Sequence, residues 1–144
     1  MIRDYHKIVA WRLAHELTLD IYSVTRRFPT QELYGITSQA RRAAFGVPSN
    51  IAEGSGRESK RDYLRFLFIA HASLKETEYF LLLSRDLKLL GTDDYQRISD
   101  LVNRSFATLQ GLIKAVKKEA GFIGRTFALV ASTIAIYVAH RTTT

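Results

Sequence analysis

The apolar residues of this chain recur at helical spacing in four long segments, which short loops separate. The predicted helices run from about residue 5 to 28, from the loop at Tyr34-Gly35 to about 54, from 59 to 90 and from 92 to 121. Helices of this length with short connections pack antiparallel around one apolar core. The pattern therefore predicts an all-α, up-and-down four-helix bundle.

Residues that favour helix ends support these boundaries. Ser59, followed by Asp62, is typical of a helix N-terminus, where the serine side chain caps the first turn. The turn from Gly54 to Gly56 is expected to close the second helix with a left-handed cap, and Gly91 is expected to cap the third. Thr92 is predicted to cap the fourth helix.

The second helix contains a proline. Pro48 has no amide hydrogen, and its ring crowds the carbonyl of Ala44, so a kink is predicted there. Ser49 or Asn50 is expected to donate hydrogen bonds to nearby backbone carbonyls. A polar line beside the apolar face of this helix is either a satisfied packing edge or a binding surface. That line consists of Gln39, Arg42, Gly46, Asn50 and Glu53.

The first and third helices carry more apolar positions than one core stripe needs. Such an excess favours either a central position in the bundle or burial against another subunit, and we predict the second. A contact between subunits would also use the outer side of the second helix. The predicted contact residues are Phe45, Phe66, Ile69, Phe80, Leu83 and Leu87.

The C-terminal residues differ in character from the rest. Residues 121–144 are predicted to form an apolar appendage to a bundle made by residues 1–120. The stretch from 126 to 139 has no charge, but it is shorter than the ~20 residues that a membrane helix requires. Its β-branched residues suit a strand or an adhesive helix. We expect it to pack on the bundle or on a neighbouring subunit, and we predict no membrane contact.

Composition narrows the class of protein. The 144 residues carry a net charge of +7 and no cysteine. The lack of cysteine excludes disulfides and thiolate metal sites and is compatible with a reducing cytoplasm. The N-terminus is charged where a signal peptide needs an apolar run, so a cytoplasmic location is predicted. The positive charge favours acidic partners such as nucleic acid.

The chain offers few catalytic groups. Its four histidines show no pair at i, i+4 and no adjoining carboxylate pair, so no metal site and no cofactor is predicted. Arg65 and His71 resemble the arginine and histidine element of HEPN ribonucleases. Six helical positions, however, place the two side chains about 120° apart. We therefore predict that the protein is not an enzyme, with a metal-independent ribonuclease as one alternative.

Six basic residues flank the Gly-Ser-Gly turn between the second and third helices. They are Arg41, Arg42, Arg57, Lys60, Arg61 and Arg65. Guanidinium groups, together with the amides at the start of the third helix, are suited to bind phosphates. Acidic residues lie among them, and Arg42 shares one helical line with Glu53, so structural ion pairs are the competing interpretation. We predict that the six residues contact RNA or DNA.

The segment RRAAFGVPSNIAEGSGR, residues 41–57, resembles the signature RRAAxSIPxNIAEGxGR of the 23S rRNA intervening-sequence family. The likeness covers roughly residues 4–118. Phe45-Gly46 departs from the small apolar residue and serine that are usual there, and the C-terminal tail has no counterpart. Four residues of the motif are interpreted as structural. These are Pro48, Asn50, Glu53 and Gly54.

This resemblance implies a four-helix bundle that can assemble as a ring-shaped pentamer. The architecture is also similar to that of accessory proteins of diversity-generating retroelements, which bind nucleic acid and a reverse transcriptase. A ring would repeat the basic surface of each subunit and multiply its phosphate contacts. We therefore predict a basic homo-oligomeric scaffold that binds RNA or DNA largely independently of sequence, alongside a partner protein such as a reverse transcriptase. The alternative is an assembly module without nucleic-acid binding.

Overall fold

The computed structural model describes the backbone of residues 3–141 and the side chains of residues 3–121. Its long helices are α1 (Val9–Thr25), α2 (Ser38–Ser55), α3 (Lys60–Asp86) and α4 (Thr92–Arg141). A 3-10 turn at Tyr5–Lys7 precedes α1, and a 3-10 turn (Thr30–Glu32) and a π-helical turn (Leu33–Thr37) join α1 to α2. Helices α1 and α3 each pack against both α2 and α4. The described residues form no strand, so the predicted all-α four-helix bundle is confirmed.

Each helix buries one apolar stripe in a single core. The most deeply buried large side chains are Leu17, Val47, Ile51, Tyr63, Leu67, Leu74, Ile98, Val102 and Leu109. Burial of one leucine or isoleucine stabilises a fold by about 1.5–3 kcal/mol. Six buried hydroxyls lie in the four long helices, and each donates to a carbonyl three or four residues earlier in its own helix. They belong to Thr18, Thr25, Ser55, Thr77, Ser84 and Ser105.

Helix α2 runs without interruption through Pro48. The proline leaves the carbonyl of Ala44 without its usual amide partner. Thr18 of α1 partly fills that place, because its single hydroxyl hydrogen is shared between the Ala14 oxygen at 2.9 Å and the Ala44 oxygen at 3.1 Å. Ser49 and Asn50 donate to carbonyls one turn earlier, at 2.8 and 2.7 Å, as predicted. The backbone around the proline is therefore satisfied from within α2 and from α1.

Two glycines allow α2 to approach α3 closely. A β-carbon at Gly54 would lie 2.8 Å from Cβ of Phe66 and 3.0 Å from Cδ2 of Tyr63. A β-carbon at Gly46 would lie 2.9 Å from Oγ of Ser73. The predicted left-handed cap at the end of α2 is wrong, since Gly56 has φ −82° and no glycine among the described residues has positive φ. Gly54 is required for helix packing instead.

The N-terminus of α3 is as predicted, but its C-terminus is not. The hydroxyl of Ser59 accepts a hydrogen bond from the amide of Asp62 at 3.0 Å. The helix ends four residues before the predicted position, and Lys88, with φ 59°, takes the left-handed conformation expected of Gly91. The physical reason is Leu90, which is only 6% exposed. The chain must leave the helix early to return this side chain to the core.

Helix α4 extends further than predicted. The sequence predicted an end at Gly121, whereas α4 continues to Arg141. The choice between a strand and a helix for the tail is therefore decided in favour of a helix. The predicted packing of the tail falls on side chains outside the described residues, and the division at residue 120 stays a prediction. No helix formed by the described residues combines the length and hydropathy that crossing a membrane requires.

Four charged residues connect the end of α1 to the start of α4. Asp94 accepts from Arg27 at 2.6 Å and from Arg97 at 3.2 Å, and Arg97 also donates to Asp20 at 2.6 Å. The hydrogen bond from Arg27, followed by that from Arg97, lowers the pKa of Asp94 below its ordinary value. The carboxylate form therefore contributes to stability.

We expect Asp94→Asn to lower the free energy of unfolding by up to about 1 kcal/mol at neutral pH. Because the pKa of Asp94 is lowered in the folded state, this contribution is present above the unfolded pKa of about 3.9 and is lost as the pH falls through the folded pKa. Urea unfolding at neutral pH and near pH 3 measures the difference between variant and wild type. A difference that persists undiminished at low pH would contradict the assignment.

Candidate nucleic-acid interface

The six predicted basic residues do not form one cluster. Arg41 is half-buried; its Nε donates to Oγ1 of Thr25 at 2.8 Å, and its guanidinium lies over the ring of Tyr22. Arg42 donates to Glu76 of α3 at 3.2 Å. At 1.5 Å per residue, both lie about 20 Å along α2 from the Gly-Ser-Gly turn. These two arginines hold α2 against its neighbours.

At the turn itself, two of the cations are engaged by acidic side chains. Arg57 pairs with Glu53 one turn earlier and lies 4.6 Å from the centre of the Phe66 ring. Lys60 pairs with Glu119 of α4, and the hydrogen bond from Lys60 is the main cause that lowers the pKa of Glu119. Arg42 and Glu53, which share one helical line, do not pair with each other. Arg42 pairs with Glu76, and Glu53 pairs with Arg57. Structural ion pairs account for Arg42, Arg57 and Lys60.

Arg61 and Arg65 differ from the other four cations. Both are exposed, and neither has an acidic partner among the described side chains. They line a groove between the start of α3 and α4, together with the half-exposed ring of Phe68. Lys117 of α4 lies 5.1 Å from the centre of that ring. We name Arg61, Arg65, Phe68 and Lys117 the α3–α4 basic groove.

The α3–α4 basic groove combines two arginines of its lining with Lys117, which lies over the half-exposed ring of Phe68. Cations follow a phosphate backbone, while an aromatic face stacks on a base without selecting its identity. Asp62 also lines the groove, but its carboxylate accepts a hydrogen bond from Ser59 at 2.9 Å within the α3 cap. The arrangement suits a single-stranded nucleic acid.

Sequence reasoning did not identify Phe68 and Lys117 as part of this surface. Phe68 is not among the predicted contact residues of the third helix, and Lys117 lies far along the sequence from the Gly-Ser-Gly turn. The signal that locates them is the antiparallel pairing of α3 with α4, which brings Lys60 to Glu119 and Phe68 to Lys117. Pairing of helix positions depends on packing that periodicity alone does not determine.

The predicted contacts between subunits divide into two groups. Phe45, Ile69 and Leu87 are 46%, 43% and 53% exposed, so their surface is open to a partner. Phe80 and Leu83 are half-buried. Phe66 is 7% exposed beneath Arg57 and Arg65. Its ring is therefore used inside the protomer, which corrects its assignment as a contact residue.

The groups proposed for catalysis do not converge. Arg65 is exposed, with its guanidinium 5.2 Å from the centre of the Phe66 ring. His71 is half-buried and makes an edge contact with Phe106, 5.3 Å between ring centres. Both residues lie on the uninterrupted helix α3, about 9 Å apart along its axis. Within residues 3–121, no group of three or more His, Asp or Glu side chains is placed to hold a metal ion.

Comparison with known proteins agrees with the bundle and its motif. The family described as 23S rRNA-intervening sequence protein matches residues 6–111. The chain belongs to this family. A crystal structure from Bacteroides thetaiotaomicron, described as a protein with unknown function from the S23 ribosomal protein family, has a TM-score of 0.69 to it. That likeness has 23% identity and covers 74% of this chain and 99% of the other, and it concerns the fold alone. Comparison with curated proteins finds no match.

Proposed function

We propose that this member of the 23S rRNA-intervening sequence protein family is a non-enzymatic, cytoplasmic scaffold that assembles as a ring and binds RNA or DNA largely independently of sequence. The observation that carries the proposal is the α3–α4 basic groove, whose arginines have no acidic partner among the described side chains. Contacts to phosphates hold any sequence, because only base edges carry sequence information. The family's description, which refers to an rRNA sequence, supports a nucleic acid as the ligand.

Ring assembly would make this modest groove effective. Three cations on one protomer provide few phosphate contacts, whereas several copies joined in a ring hold one strand at many points. The exposed side chains of Phe45, Ile69 and Leu87 support association, since each leaves a large apolar group in water. A pentamer is the subunit count that we propose, with a partner protein such as a reverse transcriptase bound to the assembly.

We expect the groove variant Arg61→Gln/Arg65→Gln/Lys117→Gln to bind single-stranded RNA of mixed sequence more weakly than wild type. Its salt dependence should also be shallower, because each lost phosphate contact reduces the slope of log affinity against log salt by about 0.7. Fluorescence anisotropy at several salt concentrations, with RNA and with single-stranded DNA, measures both quantities.

The matched control is Arg42→Gln/Arg57→Gln/Lys60→Gln. It removes the same formal charge from residues that are paired with Glu76, Glu53 and Glu119. We expect it to retain most of the wild-type affinity. Equal losses in the two variants would place binding outside the groove. The alternative is an assembly module without nucleic-acid binding, and the ion pairs of Arg42, Arg57 and Lys60 favour it. An absence of binding by wild type even at low salt would support this alternative.

A further inference from the structure

Helix α4 continues past the level at which the rest of the bundle ends. Glu119 of α4 pairs with Lys60 at the start of α3 and lies 4.0 Å from Arg3. The amide of Arg3 in turn donates to the carbonyl of Ser55 at the end of α2. Three other elements therefore begin or end at this level. Helix α4 has 22 further residues, from 119 to 141, or about 30 Å of helix.

The sequence of this extension is unlike that of an exposed helix. Residues 126–139 contain no charged side chain, although a helix in water normally carries a polar face. An apolar stretch of this length, left uncovered, is a site of aggregation. The family match ends at residue 111 and the extension lies beyond it. The extension therefore needs an apolar surface to pack against, and the part of the chain that matches the family does not include the extension itself.

A second groove, which is apolar and uncovered, lies between α1 and α2. Its lining includes Trp11, Leu19, Tyr22, Phe45 and Pro48, and its volume is about 490 Å³. Leu19 and Phe45 are 58% and 46% exposed. The groove begins beside Tyr5, at the end of the bundle from which α4 leaves. We name it the α1–α2 groove.

The extension and the groove match in length and in character. Along α1 the groove runs from Trp11 to Tyr22, about 17 Å at helical rise, and residues 126–139 span about 20 Å as a helix. Both surfaces are apolar. Helix α4 is continuous, so its extension does not turn back to reach the groove of its own chain. An extension that fills this groove therefore belongs to a second copy.

We infer that residues 126–139 of one copy lie in the α1–α2 groove of the next copy. This contact rests on the proposed ring assembly and names the surfaces that form it. Each copy donates one extension and accepts another, which is a head-to-tail interface, and such interfaces close into rings when the rotation between copies allows it. Phe45, already predicted as a contact between subunits, lies in this groove.

Cysteine cross-linking tests the contact directly, because the chain has no cysteine of its own. We expect an equimolar mixture of full-length Leu19→Cys and Ile134→Cys chains to form a disulfide-linked dimer on mild oxidation. The control replaces Leu19→Cys with Tyr34→Cys, a position outside the groove that is more exposed than Leu19 and so favours random cross-linking. Cross-linking that is no faster at position 19 than at position 34 would overturn the inference.

Charge substitution in the full chain provides a second measurement. We expect Val130→Asp/Ile134→Asp and Leu19→Asp/Phe45→Asp each to reduce the mass of the wild-type assembly, measured by light scattering, to that of a single chain. Mixing the two variants should restore one contact and give twice the protomer mass, since one supplies the groove and the other the extension.

The outcomes separate this inference from the proposed function. A wild-type assembly whose mass neither variant changes would leave the ring proposal standing and overturn the extension contact. A single-chain mass for wild type at micromolar concentration would overturn ring assembly and the contact together. Binding of wild type to phosphatidylcholine vesicles that Val130→Asp/Ile134→Asp abolishes, with no change in assembly mass, would assign the extension to a lipid surface and overturn the inference.

Discussion

Replacing Gly54 by alanine is expected to destabilise the protein by about 1–3 kcal/mol, as overpacking of a filled core does. The new β-carbon would lie 2.8 Å from Cβ of Phe66 and 3.0 Å from the ring of Tyr63, which is fully buried. Neither atom is the free end of a flexible side chain, so the backbones of α2 and α3 must move apart. Urea unfolding followed by circular dichroism gives the change in free energy.

The sign of this effect makes the test informative. Gly54 lies inside a helix, where alanine is normally more favourable than glycine by about 1 kcal/mol. Gly56→Ala is the matched control, because its nearest neighbour is a carbonyl oxygen 3.5 Å away and its φ of −82° suits any residue. We expect the control to change stability by only a few tenths of a kcal/mol. A stabilising Gly54→Ala would show that α2 and α3 separate without cost.

Gly54 also shows how far sequence reasoning reaches in this fold. Apolar periodicity predicted the four helices, and Ser59 with Asp62 located the start of α3, because both depend on local spacing. The glycines were assigned to left-handed caps, but Gly54 serves a close approach between helices. The difference depends on which side chains face it across the interface. Phe66 and Tyr63 lie in the next helix, and their register against α2 is not encoded in local spacing.

In the candidate site, too, local spacing was predictable from the sequence and contacts between helices were not. The sequence identified Arg61 and Arg65, two of the four residues of the α3–α4 basic groove, from their position near the Gly-Ser-Gly turn. It grouped them with Arg42, whose charge is paired with Glu76 on the neighbouring helix. Ion pairs between helices depend on tertiary packing, as does the position of Lys117 over Phe68. Adjacency in sequence therefore overestimated the number of free cations in one part of the surface and missed a cation nearby.

Thr18→Val is expected to reduce the free energy of unfolding by about 1–3 kcal/mol, the cost of leaving a buried polar group unsatisfied. Thr18 is 8% exposed, and valine matches its shape, so little packing is lost. The hydroxyl lies 3.1 Å from the carbonyl oxygen of Ala44, which Pro48 deprives of an amide partner. Thr77→Val is the matched control, because Thr77 is also buried, at 1% exposed, and its hydroxyl donates only within its own helix. We expect the control to be nearly neutral.

A double-mutant cycle with Pro48→Ala identifies the cause. Alanine at position 48 restores an amide hydrogen to α2, and that hydrogen is placed to bind the carbonyl of Ala44. Thr18→Val should therefore cost clearly less in the Pro48→Ala background than in wild type, with a coupling energy of about 0.5–3 kcal/mol. Denaturant midpoints and slopes for the four proteins give the cycle. Equal costs in both backgrounds would show that Thr18 stabilises the bundle independently of the proline. The hydrogen bond from Thr18 would then not compensate for the amide that Pro48 lacks.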